Sequence, residues 1–169
     1  MLKVVVTGPE SSGKTTLAQA LAAHYRVPWV AEYARTYIEQ LTQPYQEADL
    51  LAIARGQVQR EDEQAQTHPH LLICDTSLLV ISVWSRYRYG RCHPWIKDQL
   101  DQRPVNHYLL CSPDLPWQPD PQRENPNDRS ELFVRYEEAL REKPHTIVFG
   151  QGRARLDAAT NAIDHLFKP

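Results

Sequence analysis

The segment Gly8-Pro9-Glu10-Ser11-Ser12-Gly13-Lys14-Thr15 constrains this chain more than any other. It follows the β-branched run at 3–6 and precedes Leu17, Ala18, Leu21 and Ala22, which are apolar at helical spacing. The pattern G-x-x-x-x-G-K-[ST] in that context calls for a strand that turns sharply and opens a helix. From an average glycine usage of about 7%, a chance match in a chain this long is on the order of one in a hundred or less. Gly8 and Gly13 permit backbone angles that turn successive N–H groups inward around a phosphate, and the helix N-terminus adds partial positive charge. Lys14 is expected to reach the β- and γ-phosphates of ATP or GTP, and the Thr15 hydroxyl to ligate Mg²⁺. Glu10, Ser11, Ser12 and Thr16 complete the nucleotide-binding stretch. The alternative is a glycine-containing turn with an incidental lysine.

Further short apolar runs alternate with amphipathic segments. Strands are expected at 3–6, 28–31, 71–74, 107–111 and 146–149. Helices are expected at 15–25, 33–41, 46–66, 78–87, 95–100, 130–142 and 155–167, with Thr76 or Ser77 and then Ser130 as N-caps. Such alternation implies an α/β fold, a five-stranded parallel sheet with helices on both faces, in one domain spanning 1–169. Ligands on such sheets bind at the carboxyl ends of the strands. Lys plus Arg total 19 against 21 Asp plus Glu, a net charge of −2, which carries no footprint for a nucleic-acid backbone. No apolar stretch approaches a membrane span, and the N-terminus is too short and lightly charged for a signal peptide. Cys74, Cys92 and Cys111 form no CxxC pair. A soluble cytoplasmic protein is the expectation.

The residues that follow the strands are the functional candidates. Asp75 stands where a metal-holding acid is expected, its alternative being the N-cap of the next helix. Glu32 could accept the proton of an acceptor hydroxyl and Arg35 could bind phosphate or orient Glu32; otherwise they form a solvated i,i+3 ion pair. Trp84, Tyr87, Tyr89 and Trp95 crowd one span with Arg86, Arg88 and Arg91, which suits stacking on a flat, cationic ring, or else core filling. Gln57 sits on a helix that could line the same cleft; the plainer reading is an exposed polar residue. Five of the 13 prolines fall between Ser112 and Asp128, so 112–129 reads as a stiffened lid that brings Arg123 and Arg129, or as a surface loop. Gly150-Gln151-Gly152, flanked by Arg153 and Arg155, is placed to border an adenine ring.

Gly8 to Thr16, Glu32-Tyr33-Ala34-Arg35, Cys74-Asp75-Thr76, Trp84 to Gly90 and the loop from Asp114 to Phe133 together resemble the ribosylnicotinamide kinase domain of the NadR proteins and the free-standing P-loop kinases or ATPases grouped with it. The resemblance implies a thymidylate-kinase-like P-loop NTPase fold, a three-layer sandwich. It also implies ATP- and Mg²⁺-dependent phosphorylation of the 5′-hydroxyl of nicotinamide riboside, with Glu32, Tyr33, Arg35, Gln57, Trp84, Tyr87 and Trp95 on the acceptor side. Lys14, Glu32, Asp75, Arg123 and Arg129 would be the catalytic set, Thr15 and Asp75 the metal set, and Gly152 and Arg155 part of the nucleotide site. Two departures stand out. No adenylyltransferase domain is expected with this chain, so the expected product is nicotinamide mononucleotide rather than NAD, and Ser77 stands where the family usually has a second acid. Another nucleoside or nucleotide monophosphate kinase, or an ATP-binding regulatory module with no small-molecule acceptor, remain competing readings.

Overall fold

The computed structural model describes residues 1–67 and 70–167. Five parallel strands form one sheet in the order β2-β3-β1-β4-β5, where β1 is Leu2–Thr7, β2 Trp29–Val30, β3 Leu71–Asp75, β4 His107–Cys111 and β5 His145–Val148. β1 lies in the middle, which is why Val4, Val5 and Val6 are all fully buried and read as a continuous apolar run. Their alternation still matters. Val4 and Val6 face α1 (Lys14–Tyr25) and α7 (Gly152–Asp164) with Leu17, Leu21, Leu109 and Ile163; Val5 faces α4 (Leu78–Tyr89) and α6 (Arg129–Leu140) with Leu79, Leu110 and Leu140. The result is a three-layer sandwich. A third apolar cluster joins α2 (Tyr33–Glu39), α3 (Glu47–Thr67), α4 and α5 (Pro94–Gln102) through Ala34, Ile53, Ile81 and Ile96.

Helix starts agree with the sequence expectation at α4 and differ from it at α6 and α7. Helix α4 is capped by Ser77, whose hydroxyl accepts from the Leu79 amide, so Asp75 is released from capping. Ser130 is no cap. Helix α6 starts one residue earlier with Asp128 at the N-cap position, and the Asp128 carboxylate accepts from the Tyr87 hydroxyl at 2.8 Å instead of from its own helix. Helix α7 begins at Gly152, three residues before the expected start. The proline-rich segment 112–128 contains no helix or strand. All three cysteines are free, with Cys74 and Cys111 buried, and no described helix is long and apolar enough to cross a membrane.

Candidate active site

A cavity of about 650 Å³ opens at the carboxyl ends of the strands. The loop between β1 and α1 forms one wall. Gly8 (φ +136°) passes so close to β4 that a Cβ there would meet the Cys111 carbonyl oxygen at 2.8 Å. Gly13 (φ +79°) takes the N-cap of α1 in the left-handed region, so the first amides of α1 stay unshielded and face the cavity. The Ser12 hydroxyl donates to the Pro9 carbonyl at 2.7 Å and Lys14 Nζ to the same oxygen at 2.9 Å, which folds the loop around its own centre. Gly8, Glu10, Ser11, Ser12, Gly13, Lys14, Thr15 and Thr16 therefore lie together on the cavity surface.

Thr15 Oγ1 donates to Asp75 Oδ2 at 2.6 Å. Asp75 is only 1% exposed, and its Oδ1 has no hydrogen-bond partner among the described residues. Burial raises its pKa, against the opposing hydrogen bond from Thr15 and the charges of Lys14 and Arg35. The next residue, Thr76, is β-branched yet sits at φ 67°, a strained conformation of the kind that gathers at functional sites. A hydroxyl and a carboxylate with one orphan oxygen make a hard oxygen donor set. It fits Mg²⁺, which keeps several waters and takes the remaining ligands from phosphates. Among the described residues no group of three or more His, Cys, Asp or Glu forms a metal cage.

Across the cavity, Glu32 occupies the N-cap position of α2 but makes no capping hydrogen bond, and it lines the cavity. Burial raises its pKa, Lys14 and Arg35 lower it, and Asp75 and Glu10 raise it further, so its carboxylate sits within the field of the phosphate loop. Arg35 does not pair with Glu32; its Nη1 meets Asp120 Oδ2 of the proline-rich loop at 3.0 Å. Trp84 and Tyr87 of α4 line the cavity with Tyr136. Trp84 Nε1 donates to the Tyr45 hydroxyl at 2.9 Å, and that hydroxyl donates to Glu124 at 2.8 Å.

Three expected acceptor residues stand elsewhere. Trp95 packs in the third apolar cluster with the Arg55 guanidinium over its ring, because α5 is turned toward α3 and α4. Tyr33 lies flat on α3, against Gly56, where any Cβ would come within 2.1 Å of the ring. Gln57 is fully buried, at 1% exposure, and is neither a wall of the cavity nor an exposed polar residue.

The 112–129 segment is stitched over the phosphate loop. Glu10 accepts from the amides of Glu124 (3.1 Å) and Asn125 (2.9 Å), and Ser11 Oγ accepts from the Gln118 amide at 2.9 Å. Arg129 donates to the Leu115 carbonyl at 2.8 Å and the Ser11 carbonyl at 3.2 Å, braces the loop from behind, and does not reach the cavity surface. Arg123 does line the cavity and donates to the Gln118 carbonyl, with both arginines close to the Trp117 ring. Arg155 is 4% exposed; it donates to the Ser12 and Ser112 carbonyls and pairs with Asp114 at 2.6 Å. Its role in the structure is thus to tie α7 to the phosphate loop. Asp114 in turn accepts from the Gly150 amide at 2.6 Å, and Gly152 lines the cavity. Sequence reasoning did not single out Tyr45, Gly56, Glu124 or Tyr136. Only the isolated Gly56 within a helical pattern carried a readable signal, a close approach to its surface.

The AAA domain family (AAA_28) matches residues 3–154. The chain belongs to this family. This AAA-family chain is also 26% identical over 123 residues to the trifunctional NAD biosynthesis/regulator protein NadR of Salmonella typhimurium, a match that covers 69% of this chain and 30% of that protein's length. Among solved structures, it is similar to NadR in complex with NR (TM-score 0.83, 20% identity, 97% of this chain and 50% of that one) and to NadR with NAD and AMP-PNP (TM-score 0.78, 21% identity, 97% and 49%). Thymidylate kinase from Ehrlichia chaffeensis matches with TM-score 0.65 at 14% identity, over 98% of both chains. The AAA-family chain thus has the P-loop NTPase fold of thymidylate and nucleoside kinases.

Proposed function

We propose that this protein is an ATP-dependent kinase that phosphorylates the 5′-hydroxyl of nicotinamide riboside, giving nicotinamide mononucleotide. One observation carries the reading: a single cavity has a phosphate loop on one wall and, on the facing wall, an uncapped carboxylate beside two aromatic rings. A hydrolase of ATP alone has no need of the second wall. Support also comes from the relatives, since NadR has been solved with NR and with AMP-PNP.

In this mechanism, the loop amides and Lys14 bind the β- and γ-phosphates, while Gly150 to Gly152 border the base. Glu32 accepts the proton of the acceptor hydroxyl as its oxygen forms a bond to the γ-phosphorus; the bond from that phosphorus to the β,γ-bridging oxygen breaks, and ADP leaves. Thr15 and Asp75 would hold Mg²⁺, which when bound would neutralise charge on the phosphate oxygens. Arg123 is the lid arginine that lines the cavity and would neutralise charge on the transferred group, and Arg129 and Arg155 keep lid and loop in register. Trp84 and Tyr87 stack on the acceptor ring, their π-faces favouring a cationic one. Lid closure over 112–129 excludes water.

The test is acceptor-dependent ADP release across a panel of nucleosides. Nicotinamide riboside is expected to give the highest kcat/KM. A higher value for a neutral nucleoside would reassign the acceptor, and no stimulation by any acceptor would favour an ATPase module.

A further inference from the structure

The first amides of a helix lack partners within it, and the usual remedy is the side chain at the N-cap. Helix α2 does not use it. The amide of Tyr33, the first residue of α2, donates instead to Gln57 Oε1 at 2.9 Å, 24 residues away on α3. The carboxylate of Glu32, an acceptor at the cap position itself, makes no capping bond.

The Gln57 amide can serve this end in one orientation only. Its Nε2 faces Glu61 Oε1 at 3.5 Å, and Glu61 is a fully buried carboxylate that accepts from Lys3 Nζ of β1 at 2.5 Å, with Arg103 at 3.9 Å. A carboxylate only accepts, so the NH₂ must face Glu61 and the oxygen must face Tyr33. The surrounding α3 surface holds the same corner. Arg60 lies over the Tyr33 ring at 4.7 Å and donates to Thr36 Oγ1 at 3.2 Å, while Gly56 gives the Tyr33 ring its seat.

We infer that Gln57, oriented by Glu61, is a positioning residue for the reaction: by holding the first amide of α2, the one that follows Glu32, it fixes the start of that helix against α3 and so keeps the Glu32 carboxylate at the cavity, available to the acceptor. The inference rests on the reading of Glu32 given above. Without the Gln57 oxygen, the Tyr33 amide loses its partner, the turn that carries Glu32 is no longer held to α3, and the carboxylate loses its fixed place at the cavity.

Gln57→Met keeps the length and helix propensity of the side chain and removes the acceptor. It is expected to lower kcat at least tenfold while the acceptor KM and the affinity for AMP-PNP with Mg²⁺ stay within twofold. The acid limb of the kcat profile should move to lower pH as the displaced carboxylate regains solvent and with it its ordinary range. Glu32→Gln is assayed beside it. If Glu32→Gln keeps wild-type kcat, the reading of Glu32 falls and takes this inference with it. If Glu32→Gln is inactive but Gln57→Met keeps the wild-type kcat and pH profile, the positioning inference alone is overturned. Hydrogen exchange in the wild-type protein gives an independent check. The Tyr33 amide should exchange at least a hundredfold more slowly than in an unstructured peptide; exchange at the free-peptide rate overturns the inference.

Discussion

At the phosphate end of the cavity, one uninterrupted stretch from Gly8 to Thr16 makes nearly the whole surface. At the acceptor end the surface comes from separate segments, with Glu32 after β2, Trp84 and Tyr87 on α4, Glu124 in the lid and Tyr136 on α6. The first is a backbone device, set by where glycines permit left-handed angles and where a helix begins. The second is a tertiary device in which each side chain is aimed by a distant one: Trp84 by Tyr45, Tyr87 by Asp128, and the Glu32 corner by Gln57. Damage to the two ends should therefore differ in kind. The phosphate end should fail in binding and chemistry for every substrate, and the acceptor end should fail selectively.

The largest effect is expected at Lys14. Lys14→Ala should reduce phosphoryl transfer by about a thousandfold or more, because it removes a charge aimed at the transferred group. Circular dichroism and thermal melting should remain close to wild type, since among the described residues the Lys14 ammonium donates to the Pro9 carbonyl alone. Retained turnover would sever the phosphate loop from function.

Glu32→Gln comes next, with a loss in kcat of about a hundredfold to ten-thousandfold and unchanged AMP-PNP affinity. Its pH behaviour sharpens the contrast. Burial raises the Glu32 pKa above its ordinary value, so the folded state binds the proton more tightly than the unfolded one. The stability contributed by Glu32 is then fully present below the ordinary carboxylate range and is lost as pH rises through the raised value. Glu32→Gln should melt at a higher temperature than wild type at neutral pH and show a flatter stability profile as pH rises from the ordinary carboxylate range. A lower melting temperature at neutral pH would contradict the assigned burial.

Gly8→Ala tests the backbone device directly. Its Cβ would meet the Cys111 carbonyl at 2.8 Å at a φ of +136°, and the expected cost is about 1–3 kcal/mol in denaturant unfolding. The smallest effect is expected for Trp84→Leu. The acceptor KM should rise about three- to thirtyfold, in line with about 0.5–2 kcal/mol for a ring facing a cation, with the ATP KM unmoved. An equal rise in both would mean that the two ends are not separable.

The same contrast explains what could be read from sequence. The phosphate loop was legible because its eight-residue pattern is local, and the central strands because Val4-Val5-Val6 and Leu71 to Cys74 are buried on both faces. The parallel sheet and its helix layers followed from their alternation. The acceptor wall was legible at Glu32, which follows a strand, and at Trp84 and Tyr87, whose aromatic rings crowd one short span. Tyr33, Gln57 and Trp95 share a helix or a neighbourhood with cavity residues. Which face of α3 or α5 meets the cleft depends on packing that no spacing encodes. Ser130 was the expected cap of α6, but Asp128 takes the N-cap position and the helix starts at Arg129. The lid was visible in its prolines, whereas its anchoring through Glu10 joins residues 114 and 115 apart and left no trace in sequence.

The central claim is that both ends serve one transfer, and it is tested most directly by following ³¹P in a mixture of the protein, ATP, Mg²⁺ and nicotinamide riboside. The account predicts one new phosphomonoester signal on the acceptor for each ADP formed, with inorganic phosphate at background. ADP accompanied by equimolar inorganic phosphate, with no phosphorylated acceptor, would contradict it.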